Sequence, residues 1–187
     1  IIKISKHITA GNKYLSDFAL QYNSSVSVIP TCIDTEKYRL TERKYDNQVV
    51  IGWVGSLTTA GFLSLMKNTF YQLSRRFSNV RFQIIGGEFS LEGVPNIINR
   101  EWSLGEEMRY MDDFDIGIMP MPDTHWTRGK CGFKAILYMS RGIPCVCSPV
   151  GMNKEIISDG VNGFLADTDS EWIEKLSFLI KSPELRK

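Results

Sequence analysis

From Val49 onward the chain alternates between short unbroken apolar runs and longer stretches in which apolar residues recur every three or four positions. Val49-Val50-Ile51-Gly52-Trp53-Val54 is of strand length and apolar on both sides, as in a parallel strand covered on two faces. Leu63, Met66, Phe70, Leu73 and Phe77 then fall at helical spacing, and Val80 to Ile85 makes a second strand closed by Gly86-Gly87. The pattern goes on with a short strand at Asn96-Ile97-Ile98. A helix opened by a Ser103–Glu106 capping box runs to about Asp112, and a strand follows from Phe114 to Met119. After the loop from Pro120 to Trp126, the stretch to Gly151 reads as a basic loop, a buried helix, a glycine stop and a buried strand. A short helix near Lys154 to Ser158, turns at Asp159-Gly160 and Asn162-Gly163, and a helix from about Asp169, opened by Thr168 and Glu171, complete the chain.

Upstream the signal is weaker. Ile1 to Ile8 predicts an edge strand, and the helix after Gly11-Asn12 carries Tyr14, Leu15, Phe18, Ala19 and Tyr22 on one face. Val26 to Ile29 is a short strand stopped by Pro30, and the polar, aperiodic residues from Thr31 to Asn47 read as a linker.

Strand and helix in regular alternation predict an α/β fold: a Rossmann-like, doubly wound parallel sheet with helices on both faces. In such sheets the ligand lies beyond the carboxyl ends of the strands. Three glycine-bearing loops fall there: Gly55-Ser56, Gly86-Gly87 and Val150-Gly151-Met152. Neither GxGxxG nor GxxxxGK[ST] is present, which sets aside NAD enzymes and P-loop ATPases.

Composition narrows this little. Of the 187 residues 43% are apolar and 23% charged, ordinary for a globular chain with one full core. The net charge of +1 provides no broad field for nucleic acid or acidic membranes, so any anion site must be local. Cys32, Cys131, Cys145 and Cys147 fit no zinc spacing; the last two share a strand face and read as reduced core residues, which points to the cytoplasm. No run of 18 apolar residues occurs. The opening Ile1-Ile2-Lys3-Ile4, without Met, suggests a piece of something longer.

The chemistry gathers before the buried helix. Arg128, Lys130 and Lys134 crowd its start, Lys130 and Lys134 at i,i+4 spacing, where like charges repel each other and oppose the helix dipole. A bound phosphate or carboxylate relieves both penalties. The alternative is a set of surface cations with buried stems. Other residues also carry two readings. Trp102 is a base platform or a hydrophobic staple, and His125 faces a ligand or solvent. Glu155 orients the Gly151 loop or sits in a first helical turn, while Thr58 and Thr59 touch phosphate or cap a helix. Met108 and Met111 read as core. Asp112, Asp113 and Asp115 read as a helix end and strand start, so no metal is assigned.

Taken in order, IPTCIDTEKY, IGWVGS, FQIIGG, DFDIGIMPMPDTHWTRGKCGFKAILYMSRGIPCVCSPVGMNKEII and SDGVNGFLA resemble the C-terminal, donor-binding half of group 1 glycosyltransferases with the two-domain GT-B fold. The resemblance implies that residues 1–47 are the end of an acceptor domain plus an interdomain linker, and residues 48–187 the nucleotide-sugar domain. It implies a retaining transfer from a nucleotide-diphosphate-sugar donor, without metal or other cofactor, to a glycan or lipid-linked acceptor bound through a preceding domain. The fragment alone would bind nucleotide without turnover, and peripheral membrane association is a further expectation for the full-length protein. In these terms Gly55 and Ser56 meet the diphosphate, whose charge Arg128, Lys130 and Lys134 neutralise. Gly86 borders the site, Trp102 lies beside the base, and Gly151 and Met152 offer N–H groups near the sugar. The sequence departs from the family in lacking an Arg after the first Gly, a Lys soon after, and the pair of glutamates eight apart; Leu137 stands at the ribose glutamate's position. A sugar-nucleotide epimerase and a non-catalytic nucleotide-sugar-binding protein are the alternatives.

Overall fold

The computed structural model describes residues 1–40 and 47–186. The first 29 residues form a small parallel pair, β1 (Ile8–Ala10) and β2 (Val26–Val28), bridged by helix α1 (Lys13–Leu20). The predicted edge strand is instead a 3₁₀ turn at Ile2–Ile4 followed by β1. The aromatic face of α1 is also turned the other way: Ser16 and Ala19 are buried, whereas Tyr14, Leu15, Phe18 and Tyr22 are 37–49% exposed. Small side chains let the helix lie close on the pair. Residues 31–40 carry neither helix nor strand, and residues 41–46 of the expected linker lie outside the described residues.

The main sheet then builds outwards. β3 (Val49–Val54) leads through α2 (Leu57–Ala60), a 3₁₀ stretch Gly61–Met66 and α3 (Lys67–Arg76) to β4 (Val80–Ile85) and β5 (Ile97–Arg100). After α4 (Glu106–Met111) come β6 (Ile116–Met119), α5 (His125–Arg128), α6 (Phe133–Ser140) and β7 (Cys145–Cys147). α7 (Asn153–Ile156), the two-residue β8 (Phe164–Leu165) and α8 (Asp169–Lys181) follow. All six strands are parallel in the order β5-β4-β3-β6-β7-β8. This is the doubly wound Rossmann-like sheet that the alternation predicts, with its topological switch point between β3 and β6.

The two faces bury separate apolar layers, one around Trp53, Leu63, Phe70, Phe82 and Leu176, the other around Met111, Phe114, Leu137, Tyr138, Cys145 and Cys147. Gly52 and Gly117 make room for aromatic rings: a Cβ at either would stand 2.1 Å from Phe114 or 2.5 Å from Tyr138. Tyr138 also shapes the switch point. β3 pairs with β6 only at Ile51–Ile116 and Gly52–Gly117. Beyond these, the buried Tyr138 hydroxyl accepts from the Val54 N–H at 3.2 Å and donates to the Ile118 carbonyl at 3.2 Å. It replaces the missing ladder bonds and holds the strands apart at their carboxyl ends.

Local signals were realised selectively. The Thr168–Glu171 capping box forms, whereas the Ser103–Glu106 box does not: the chain turns at Gly105, at φ +102°, and the helix starts at Glu106. Phe114 is kept out of its strand because its N–H closes a turn on the Met111 carbonyl. Helix α5, with a Thr124–Thr127 capping box, occupies what the sequence suggested was loop, and β8 is too short to have left a pattern.

Candidate functional site

The crevice at the carboxyl ends of β3, β4, β6 and β7 gathers most of the residues singled out in the sequence. Under it lies the buried indole of Trp53: a Cβ on Gly55 would stand 2.4 Å from this ring, and one on Gly87 3.1 Å. The Lys134 ammonium sits 5.5 Å from the centre of the same ring. Gly86 takes φ +76° and runs so close to Gly55 that a Cβ would meet the Gly55 carbonyl at 2.2 Å and the Trp102 Cβ at 3.0 Å. Gly55, Gly86, Trp102 and Lys134 thus belong to one corner. Trp102 is half-exposed there and does not occupy a staple position, since α4 begins at Glu106.

The other wall is the Gly151 loop. A Cβ on Gly151 would lie 2.9 Å from the Arg128 carbonyl, and one on Gly132 3.5 Å from the Met152 Cβ. Gly132, left-handed at φ +69°, is the N-cap of α6, so Met152 lies beside the start of that helix. Asn153 is fully buried and donates to the Ser148 carbonyl at 3.0 Å, while the Ser148 hydroxyl accepts from the Met121 N–H at 2.9 Å. These bonds tie the loop after β7 to the loop after β6.

The three cations do not share one situation. Arg128 ends α5 rather than opening α6, and its guanidinium makes a two-pronged pair with Asp123 at 2.6 and 2.9 Å. That pair holds the Asp123 carboxyl below its ordinary range and raises Arg128 in turn. Lys130 precedes the left-handed Gly132 and so is not on one helix with Lys134; helical i,i+4 repulsion therefore does not apply. Its ammonium lies 3.9 Å from the centre of the exposed Trp126 ring, which packs edge-on against Phe62. Lys134 is the second residue of α6. Burial, and then the ammonium of Lys130, push its pKa down to about 8. Among the described residues no carboxylate pairs with Lys130 or Lys134. A desolvated ammonium without a counter-ion is costly, and a bound anion supplies what is missing.

Most of the remaining candidates serve the fold. Ser56 caps α2, its N–H donating to the Thr59 hydroxyl at 3.3 Å. His125 Nδ1 meets the Tyr14 hydroxyl at 2.8 Å, and Glu155 is exposed in the first turn of α7. Leu137 is buried in the core. Asp112 pairs with Arg141, and Asp115 accepts from the Val50 N–H at 2.8 Å and pairs with Arg186. Among the described residues no group of three His, Cys, Asp or Glu side chains is placed to hold a metal ion. Trp53, Tyr138 and Asn12 were not foreseen. Trp53 and Tyr138 look like ordinary core residues in sequence, and nothing local tells that Asn12 reaches the site.

A doubly wound parallel sheet with lysines gathered at the crevice of its switch point defines the class of α/β domain to which the chain belongs. The chain belongs to the family described as "Glycosyl transferases group 1", whose model matches residues 48–182. No curated protein sequence matches the chain. Its fold is similar to that of an S. aureus TarM variant crystallised with Fondaparinux, alpha-GlcNAc-glycerol and UDP (TM-score 0.76, 13% identity, covering 100% of this chain and 40% of that one). It is also similar to Anabaena Alr3699/HepE in complex with UDP and glucose (0.67, 15%, 95% and 53%). A third likeness is to the C-terminal domain of LpcC, a glycosyl transferase group 1 family protein from Francisella tularensis (0.66, 17%, 83% and 91%). The chain spans about two fifths of the TarM chain's length.

Proposed function

We propose that this chain is the donor-binding half of a retaining glycosyltransferase, which moves a sugar from a nucleotide-diphosphate-sugar to a glycan or lipid-linked acceptor bound through residues outside it. The observation that carries the reading is Lys134: a half-buried ammonium at the switch point, with no carboxylate partner among the described residues. With Lys130 it supplies positive charge where a leaving diphosphate gathers negative charge as the bond to the sugar C1 breaks. This is the part a divalent cation plays elsewhere, so the transfer is read as metal-independent. UDP in TarM and HepE, which share the fold, supports a nucleoside diphosphate as ligand. Gly55 and Ser56 border the diphosphate, Trp102 the base, and Gly151 and Met152 the sugar. The reading places the protein in the cytoplasm, where thiols such as Cys145 and Cys147 stay reduced. The isolated chain binds nucleotide without turnover, because the acceptor has to be held against the donor for reaction.

Titrating the chain with UDP, GDP and ADP tests this. One of the three should bind, and Lys130→Ala and Lys134→Ala should each weaken it by about 1.5–3 kcal/mol, the range for hydrogen bonds to charged groups. Absence of binding, or unchanged affinity in both variants, refutes the proposal. The apolar Leu137, buried where relatives are expected to present a glutamate to the ribose, favours a second reading in which the domain binds a sugar nucleotide without transferring it. Donor turnover by the longer parent protein, with and without acceptors, separates the two: acceptor-dependent release of nucleotide means transfer.

A further inference from the structure

We propose that Asn12, at the start of α1, is a positioning residue that holds the loop from Arg128 to Cys131 in the shape that directs Lys130 at the diphosphate. The inference rests on the reading of this crevice as a diphosphate site. Asn12 is 2% exposed, and its amide nitrogen donates to three successive carbonyls: Gly129 at 3.0 Å, Lys130 at 3.2 Å and, most weakly, Arg128 at 3.5 Å. The –NH₂ group has two hydrogens, so the two shorter bonds use them and the third contact is shared. The other end of the side chain is occupied as well: Oδ1 accepts from the Leu15 N–H at 2.8 Å and caps α1.

Three further contacts lay the same corner over the loop. A Cβ on Gly11 would stand 2.4 Å from the Cys131 Sγ, so any larger residue there would have to push the thiol aside. A Cβ on Gly129 would meet Leu15 at 3.2 Å, and Tyr14 bonds His125 on α5. The physical need is plain. α5 is a single turn: its Thr127 carbonyl accepts from the Gly129 and Lys130 N–H groups, and the next three carbonyls, of Arg128, Gly129 and Lys130, fall at or beyond the helix end, where Asn12 takes them up. Partial negative charges there, next to a diphosphate, would oppose the two lysines. Turned towards Asn12 they face α1, and Lys130 is left on the crevice side against Trp126. Asn12 thereby couples the small first unit, where the family resemblance places the end of the acceptor domain, to the charge that receives the donor.

The test uses whichever of UDP, GDP or ADP binds the chain most tightly, followed by calorimetry on Asn12→Asp and Asn12→Ser. Both substitutes keep an oxygen that caps α1 and lose the amide donors. Each should lower affinity by about fivefold to thirtyfold, the worth of one to two neutral hydrogen bonds. In a Lys130→Ala background the same substitutions should cost little more, because the residue acts through the loop that carries Lys130. The inference is overturned if both variants bind as the wild type does, if only Asn12→Asp weakens binding (charge alone), or if the loss is the same without Lys130. If the wild type binds none of the three nucleotides, the functional reading itself fails. If Lys130→Ala and Lys134→Ala weaken binding while both Asn12 variants do not, only the positioning role fails.

Discussion

Lys134→Met separates what this lysine does for the fold from what it does for a ligand. Methionine keeps an unbranched stem of similar length and removes the charge. In the folded chain the lysine pKa falls from 10.5 to about 8, chiefly through burial, which is worth about 3 kcal/mol against the charged form. A lysine whose folded pKa lies below its unfolded one costs stability while it is charged. The cost is complete below about 8 and fades as pH rises from there towards 10.5, because in that window the unfolded chain binds more protons. Lys134→Met should therefore raise the unfolding free energy near neutral pH by up to about 3 kcal/mol, and by about 2 kcal/mol less at about pH 9.5, where the folded lysine has already lost its proton. Urea denaturation at the two pH values measures this. The same variant should lose affinity for the nucleoside diphosphate. In the wild type at about pH 9, binding should take up a proton, visible as a dependence of the calorimetric heat on the buffer's ionisation enthalpy. If Lys134→Met is less stable near neutral pH, or its gain is equal at both pH values, the ammonium is already compensated within the protein. Lys134 then does not mark a site for an anion.

Three other outcomes follow from the same geometry. Tyr138→Phe leaves the Val54 N–H and the Ile118 carbonyl buried and unpaired, so the urea midpoint should fall by the equivalent of about 2–4 kcal/mol; a drop under about 0.5 kcal/mol would mean that the strands close up without the hydroxyl. Gly86→Ala forces a Cβ against the Gly55 carbonyl at a positive φ and should cost about 1–3 kcal/mol of stability together with a clear loss of nucleotide affinity; normal values of both would refute the close packing of the two loops. Arg128→Ala should change nucleotide affinity by less than about twofold, since Asp123 already holds the guanidinium; a loss like that of Lys134→Ala would return Arg128 to the diphosphate.

Much of the fold was legible because burial on two faces leaves a continuous apolar run, and Val49–Val54 and Val80–Ile85 are strands to the residue. The Thr168–Glu171 box was equally plain, since a capping box is a contact between neighbours in sequence. The Ser103–Glu106 pair has the same letters but failed, because Gly105 bends the chain between them. Local codes hold until a longer-range path overrides them.

The gathering of cations before α6 could be read from the letters alone, because all three lie within seven residues of each other. Which of them stands ready for an anion could not. Asp123 captures Arg128 through the turn of α5, Gly132 breaks the helix between Lys130 and Lys134, and Trp53 from β3 slides beneath Lys134. Asn12 reaches the same loop from more than a hundred positions away. Sequence determined where strands and helices run, since that follows from hydrophobic period and short-range caps. Only tertiary structure decided which charges are paired and which are not, because pairing depends on distances that chain order does not record.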